Sequence, residues 1–177
     1  MGTHVALLRG INVGTAKPVS METLREVVAG LGYGDVRTLL RSGNVVFTSA
    51  TRPREGAAEE LEAALLAATG VRSSFVLLRA EELAEVVDAN PLLDVATDPA
   101  RLLVTFFSRP LDPRALAGVD LAAYAPDAVA LGPRAVFSWH PDGVSRSRLP
   151  AAFWSRFGSV GTARNWRTVG KLTGLAS

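Results

Sequence analysis

Three short polar segments carry the residues whose types and spacing could do chemistry. In the first, Arg9-Gly10-Ile11-Asn12-Val13-Gly14-Thr15-Ala16-Lys17-Pro18, a glycine-bearing loop leads towards a helix start and carries two cations and an amide. Free backbone N–H groups near a helix start, with Arg9, Asn12 and Lys17 beside them, suit an anion. The spacing G-x-x-x-G-x-x-K is not that of a P-loop, and a tight turn that needs glycine is the plain alternative. In the second, Arg41-Ser42-Gly43-Asn44, the polar residues are ordinary turn formers, with Ser42 and Asn44 as further binding candidates. The third, Thr162-Ala163-Arg164-Asn165-Trp166-Arg167-Thr168, followed by Lys171, sets Arg164 and Asn165 beside Trp166. Arginine and tryptophan beside each other can hold a nucleotide by charge and stacking; Trp166 could equally anchor a terminal helix in a core. Ser145-Arg146-Ser147-Arg148 either contacts phosphates or forms a solvated loop.

Catalytic groups are sparse. The 177 residues include no cysteine and only two histidines, His4 and His140, which removes disulfides, thiolate metal sites and a cysteine nucleophile. His140-Pro141-Asp142 matches neither a zinc pair nor a triad fragment, and most carboxylates, such as Glu59, Glu60, Glu62, Glu81, Glu82 and Glu85, fall on solvent-facing helix positions. No catalytic residue, metal site or cofactor is identified. The net charge of +2 resolves into +2 over residues 1–44, −6 over 45–132 and +6 over 133–177. The basic C-terminal quarter fits phosphate, nucleotide or nucleic acid, or a solvated surface in a chain where Arg outnumbers Lys by 17 to 2. The opening residues lack the apolar core of a signal peptide and no apolar run is long enough to span a bilayer, so a cytoplasmic location without membrane association is expected.

The elements that position these segments follow from periodicity. An apolar run over His4–Arg9 predicts a central strand covered on both faces, and Met21, Leu24, Val27, Val28 and Leu31 recur at helical spacing after an N-cap at Ser20. Val36–Leu40 and Val45–Thr48 read as a hairpin, Glu55–Ala68 as a helix and Phe75–Leu78 as a strand. This βαββαβ order is the split-βαβ, ferredoxin-like plan, in which the hairpin between strands two and three is expected at the opposite end from the loop after strand one. A helix over Ala80–Ala89, a strand over Leu102–Phe107, a short helix after Asp112-Pro113, a hairpin around Gly132-Pro133-Arg134 and a helix over Pro150–Phe157 follow. The halves weakly repeat one plan. The tail adds a helix over Asn165–Leu175 that, with the second half, could cover the open face of the first sheet. The expected fold class is α+β, two small ferredoxin-like βαββα subdomains with antiparallel sheets plus a C-terminal helix. The expected divisions are a subdomain over 1–79, a helix and connector over 80–100, and a second subdomain with the C-terminal helix over 101–177.

Together, ALLRGINVG, RSGNVVF and TARNWRTVGKL resemble the bacterial domain-of-unknown-function family 1697, along with Asn90-Pro91 and Gly143–Leu149. The resemblance implies an α+β fold of two small ferredoxin-like subdomains and no activity. Its motif positions here are Arg9, Gly10, Asn12, Gly14, Lys17, Ser42, Gly43, Asn44, Thr162, Arg164, Asn165, Trp166 and Thr168. The chain departs from the family pattern at Leu92, Arg148 and Gly170. Three functions are open: a binding module for a phosphate-bearing ligand, nucleotide or single-stranded nucleic acid; a structural or interaction protein; or an enzyme on a small anionic substrate. The hairpin strand Asn44-Val45-Val46-Phe47 lacks the paired stacking aromatics of an RNA-recognition sheet.

Overall fold

A computed structural model describes all residues, Met1–Ser177. The chain divides into two compact units, one of Met1–Leu83 with Leu172–Ser177 and one of Ala84–Lys171.

In the first unit, β1 (Gly2–Leu8), β2 (Gly34–Leu39), β3 (Asn44–Ser49) and β4 (Phe75–Arg79) form an antiparallel sheet in the order β2-β3-β1-β4. Helices α1 (Met21–Gly30) and α2 (Ala57–Thr69) supply Leu24, Val28, Leu61 and Leu65, which pack with Ala6, Leu8, Val45, Phe47 and Phe75 in one buried cluster. Ser20 caps α1 as its sequence predicts, accepting the N–H of Thr23 at 3.0 Å. Val5, Leu7, Val46, Val76 and Leu78, which alternate with the cluster residues, are also fully buried. Both faces are therefore out of water, as the unbroken apolar run of β1 requires. Each large apolar side chain so buried contributes roughly 1.5–3 kcal/mol.

The register corrects one expectation. Because β1 and β3 run antiparallel with Leu7 opposite Asn44, the β2–β3 hairpin lies at the same end of the sheet as the loop after β1. The crossover through α1 returns the chain to the far end before β2 begins, so β2 runs beside β1's direction and turns where β1 ended.

After α3 (Ala80–Asp88), within which the boundary between units falls, the second unit has β5 (Leu102–Phe107), β6 (Ala128–Leu131), β7 (Ala135–Trp139) and β8 (Gly161–Asn165) in the order β6-β7-β5-β8. This is the first unit's order repeated. Its cluster is aromatic: Phe153, on α4 (Ala151–Ser155), meets Tyr124, Trp154 and Phe157 edge-on at ring separations of 5.7, 5.0 and 5.5 Å. The expected helix after Asp112-Pro113 is instead a series of turns, in which Ala115, Ala117 and Val119 each donate to the carbonyl three residues back. Gly118, at φ +73°, breaks the chain's course before helix propagation can offset its costly first turn. The tail contains a strand that its periodicity concealed, β8, before α5 (Trp166–Ala176). No helix is long and apolar enough to cross a membrane.

Candidate functional site

Three loops of the first unit are joined at the end of β1. The Leu8 N–H donates to the Gly43 carbonyl at 2.8 Å, and the Arg9 N–H donates to the Ser74 carbonyl at 3.0 Å. Ser73 Oγ donates to the Arg9 carbonyl at 2.9 Å. Asn12, itself at φ +55°, spends its whole amide on this junction: Nδ2 donates to the carbonyls of Val19 at 2.9 Å and Arg41 at 2.7 Å, and Oδ1 accepts the Val19 N–H at 2.8 Å. Lys17 Nζ donates to the Thr69 carbonyl at 2.7 Å, placing a cation at the negative end of α2. Asn44 is fully buried, and its Nδ2 closes the hairpin by donating to the Leu39 carbonyl at 2.7 Å and to Ser42 Oγ at 3.0 Å.

The hairpin depends on glycine at position 43. A Cβ there would lie 2.7 Å from Leu8 Cβ and 2.8 Å from Ile11 Cδ1, and the backbone sits at φ +81°.

Beside this junction is a cavity of about 660 Å³. The loops contribute Arg9, Gly10, Arg72, Ser73 and Ser74, and one face of α2 contributes Glu59, Glu62, Ala63 and Leu66. Glu62 Oε1 accepts the Phe75 N–H at 3.0 Å, tying α2 to β4. The exposed guanidinium groups of Arg9 and Arg72 enter no ion pair. Residues 9–20, 40–43 and 70–74 together carry Arg9, Lys17, Arg41 and Arg72 and no carboxylate. Arg72, Ser73 and Ser74 escape sequence reasoning because they precede a strand in an unremarkable polar link. Only pairing of β4 with β1 brings them to Arg9.

The third polar segment lies in the second unit. Arg164, on β8, is buried, and its Nη1 donates to Thr162 Oγ1 at 2.9 Å and to the Ala163 carbonyl at 2.8 Å. Burial pulls its guanidinium down to about 10, which leaves it protonated at neutral pH. Asn165 Oδ1 accepts the Thr168 N–H at 2.9 Å and so caps α5, of which half-buried Trp166 is the first residue.

The repeated topology makes the two units comparable position by position. In the second unit the Phe107 N–H donates to the Arg134 carbonyl at 2.9 Å and the Ser108 N–H to the Val160 carbonyl at 2.9 Å, matching the Leu8 and Arg9 bonds of the first. Ser108 stands where the first unit has Arg9. Arg134 Nη2 is spent on the carbonyls of Phe107 and Ser108, at 3.0 Å each. At the first unit's loop end Arg9 and Arg72 stay outside any ion pair, whereas Arg134 of the second unit is internally bonded.

Comparison with known proteins agrees with this architecture. The sequence pattern of a protein family of unknown function, DUF1697, matches residues 1–137. The chain belongs to the DUF1697 family. The matched stretch contains the Arg9–Lys17 and Arg41–Asn44 segments and ends before Thr162. Among solved structures, the conserved bacterial protein SP0830 from Streptococcus pneumoniae is similar to this DUF1697 chain over 99% of both chains, with 24% identity and a TM-score of 0.73. That likeness extends the shared fold through the C-terminal helix. No curated protein matches the sequence.

One further polar constellation of this DUF1697 protein was beyond sequence reasoning. His140 Nε2 lies 2.9 Å from Ser138 Oγ, and His140 Nδ1 lies 3.2 Å from Asp127 Oδ2, a close polar pair without the alignment of a hydrogen bond. The order Ser-His-Asp is that of a nucleophilic relay. Ser138 is completely buried and His140 nearly so, and the substrate access that such chemistry needs is missing. Asp127 Oδ2 also accepts Ser147 Oγ at 3.1 Å and the Arg148 N–H at 2.8 Å, so the trio anchors the Ser145–Arg148 segment to β7. No three His, Asp or Glu residues cluster so as to hold a metal ion.

Proposed function

We propose that this DUF1697 protein is a binding module for a phosphate-bearing ligand, held at the loop end of the first unit. The reading rests on one observation: Arg9 and Arg72, neither in an ion pair, line the same cavity with Ser73 and Ser74. Two guanidinium forks with the adjacent hydroxyl of Ser74 match the oxygens of a phosphate, while Ser73, whose hydroxyl donates to the Arg9 carbonyl, holds the loop in place. Asn12, Lys17, Ser42 and Asn44 serve this reading as the frame, because their polar atoms hold the loops together. Arg164, Asn165 and Trp166 are then a structural element of the second unit.

Titration of the full chain with pyrophosphate, followed by amide chemical shifts, tests this. Shifts centred on residues 9–10 and 72–74 that weaken at higher salt and vanish in Arg9→Ala/Arg72→Ala are expected. Unchanged spectra would refute it. All three tryptophans, Trp139, Trp154 and Trp166, lie in the second unit, so indole fluorescence is a poor reporter.

A second reading, a structural or interaction protein without a ligand, is favoured by the complete internal use of the Asn12 amide and the capping role of Asn165. Under it, substitutions at these positions lower thermal stability and nothing else.

A further inference from the structure

The cavity's second set of residues bears on what kind of phosphate compound fits. Glu59 and Glu62 stand one turn apart on α2 and line the same space as Arg9 and Arg72. Glu62 already serves the Phe75 N–H, whereas the exposed carboxylate of Glu59 enters neither a hydrogen bond nor an ion pair. A bare inorganic anion gains nothing from a carboxylate nearby, and a polynucleotide, which repeats its charge along its length, is repelled by two. A ligand that ends in phosphate on one side and presents hydroxyl donors on the other uses both sets, since an ionised carboxylate only accepts hydrogen bonds. The space of about 660 Å³ is that of a small-molecule site, with Leu66 and Ala63 offering apolar surface.

We infer that the ligand is a small phosphomonoester with neighbouring hydroxyl groups, a sugar phosphate or a nucleoside monophosphate, its phosphate on Arg9 and Arg72 and its hydroxyls on Glu59. This deepens the proposed function and rests on it. The equivalent end of the second unit supports the choice of unit, because Ser108 replaces Arg9 there and Arg134 is internally bonded.

Calorimetric titration of the full chain with inorganic phosphate, ribose 5-phosphate, adenosine 5′-monophosphate and a short oligothymidylate separates the possibilities. Ribose 5-phosphate is expected to bind about tenfold more tightly than inorganic phosphate, a difference of about 1.4 kcal/mol. Glu59→Gln should erase most of that preference while leaving phosphate binding equal or stronger; Arg9→Ala should weaken every ligand. A tighter adenosine monophosphate identifies the base as a further contact, and equal affinity for the two identifies the sugar phosphate as the recognised part. If phosphate binds through Arg9 without preference for the sugar phosphate, or if the oligonucleotide binds most tightly, the inference fails and the phosphate-binding reading stands. If nothing binds, both fail.

Discussion

The side-chain amide of Asn12 donates to the backbone carbonyl of Arg41 at 2.7 Å, and that one hydrogen bond joins the loop after β1 to the tip of the β2–β3 hairpin. Around it the first unit assembles its loop end, with Arg9 and Arg72 facing one cavity. The relationship makes Asn12 a positioning residue for any ligand that Arg9 holds.

Replacing Asn12 by Ala removes both donors and the acceptor for Val19, at a φ of +55° that asparagine tolerates better than alanine. A loss of about 2 kcal/mol is expected, from unsatisfied backbone groups, with Tm lowered by roughly 4–8 °C. Asn12→Asp, which keeps the Oδ1 acceptor but sets a carboxylate oxygen against the Val19 and Arg41 carbonyls, should lose at least as much. Thermal unfolding of the two variants checks the order.

Gly43→Ala combines a φ of +81° with a Cβ 2.7 Å from that of Leu8, so strain and overlap add. Gly14→Ala meets the conformational cost alone, because φ is +57° and the space beside it is open. Urea unfolding should show about 1 kcal/mol lost at position 14 and clearly more, about 3 kcal/mol or above, at position 43.

His4 stacks on Phe47 with ring centroids 5.6 Å apart, and its Nδ1 lies 3.1 Å from the Gly2 carbonyl. Burial holds its imidazole below the ordinary 6.5; Arg79 acts in the same direction, and the Gly2 carbonyl, Glu81 and Glu82 oppose it. With the folded value below the unfolded one, the neutral ring's contribution is complete above about pH 6.5. It is lost as pH falls through the interval below that, where the unfolded chain takes up the proton first. Wild type should therefore lose more stability than His4→Leu between pH 8 and pH 5. Parallel urea curves at the two pH values measure the difference, and equal losses would contradict the assignment.

Asp127→Ala removes the acceptor that holds Ser147 and Arg148 and leaves the buried His140 without its neighbour. A cost of about 3 kcal/mol is expected, with faster tryptic cleavage at Arg146 and Arg148 in the released segment. Ser138→Ala, which keeps Asp127, should leave that cleavage near the wild-type rate.

Local pattern was enough to find most elements. The unbroken apolar run of β1 requires burial on both faces, the Ser20 cap and spaced apolar residues specify α1, and Gly43 marks a hairpin, because each signal depends on neighbours a few residues away. β8 escaped because its buried side chains include Thr162 and Arg164, which no hydrophobic alternation reveals, with a glycine at Gly161 against the Phe107 ring. The helix expected after Asp112-Pro113 failed for the complementary reason: composition allowed it, but Gly118 stopped propagation after a turn.

The sequence by itself determined most element types, the α+β class, the family and the polar segments at Arg9–Lys17, Arg41–Asn44 and Thr162–Thr168. Only tertiary structure decided which of those polar atoms are already used, since a hydrogen bond from Asn12 to Arg41 or from Lys17 to Thr69 depends on chain segments far apart in sequence. It also brought Arg72 to Arg9 and Asp127 to His140, because strand order and register, unlike helix periodicity, are fixed by pairing between distant segments.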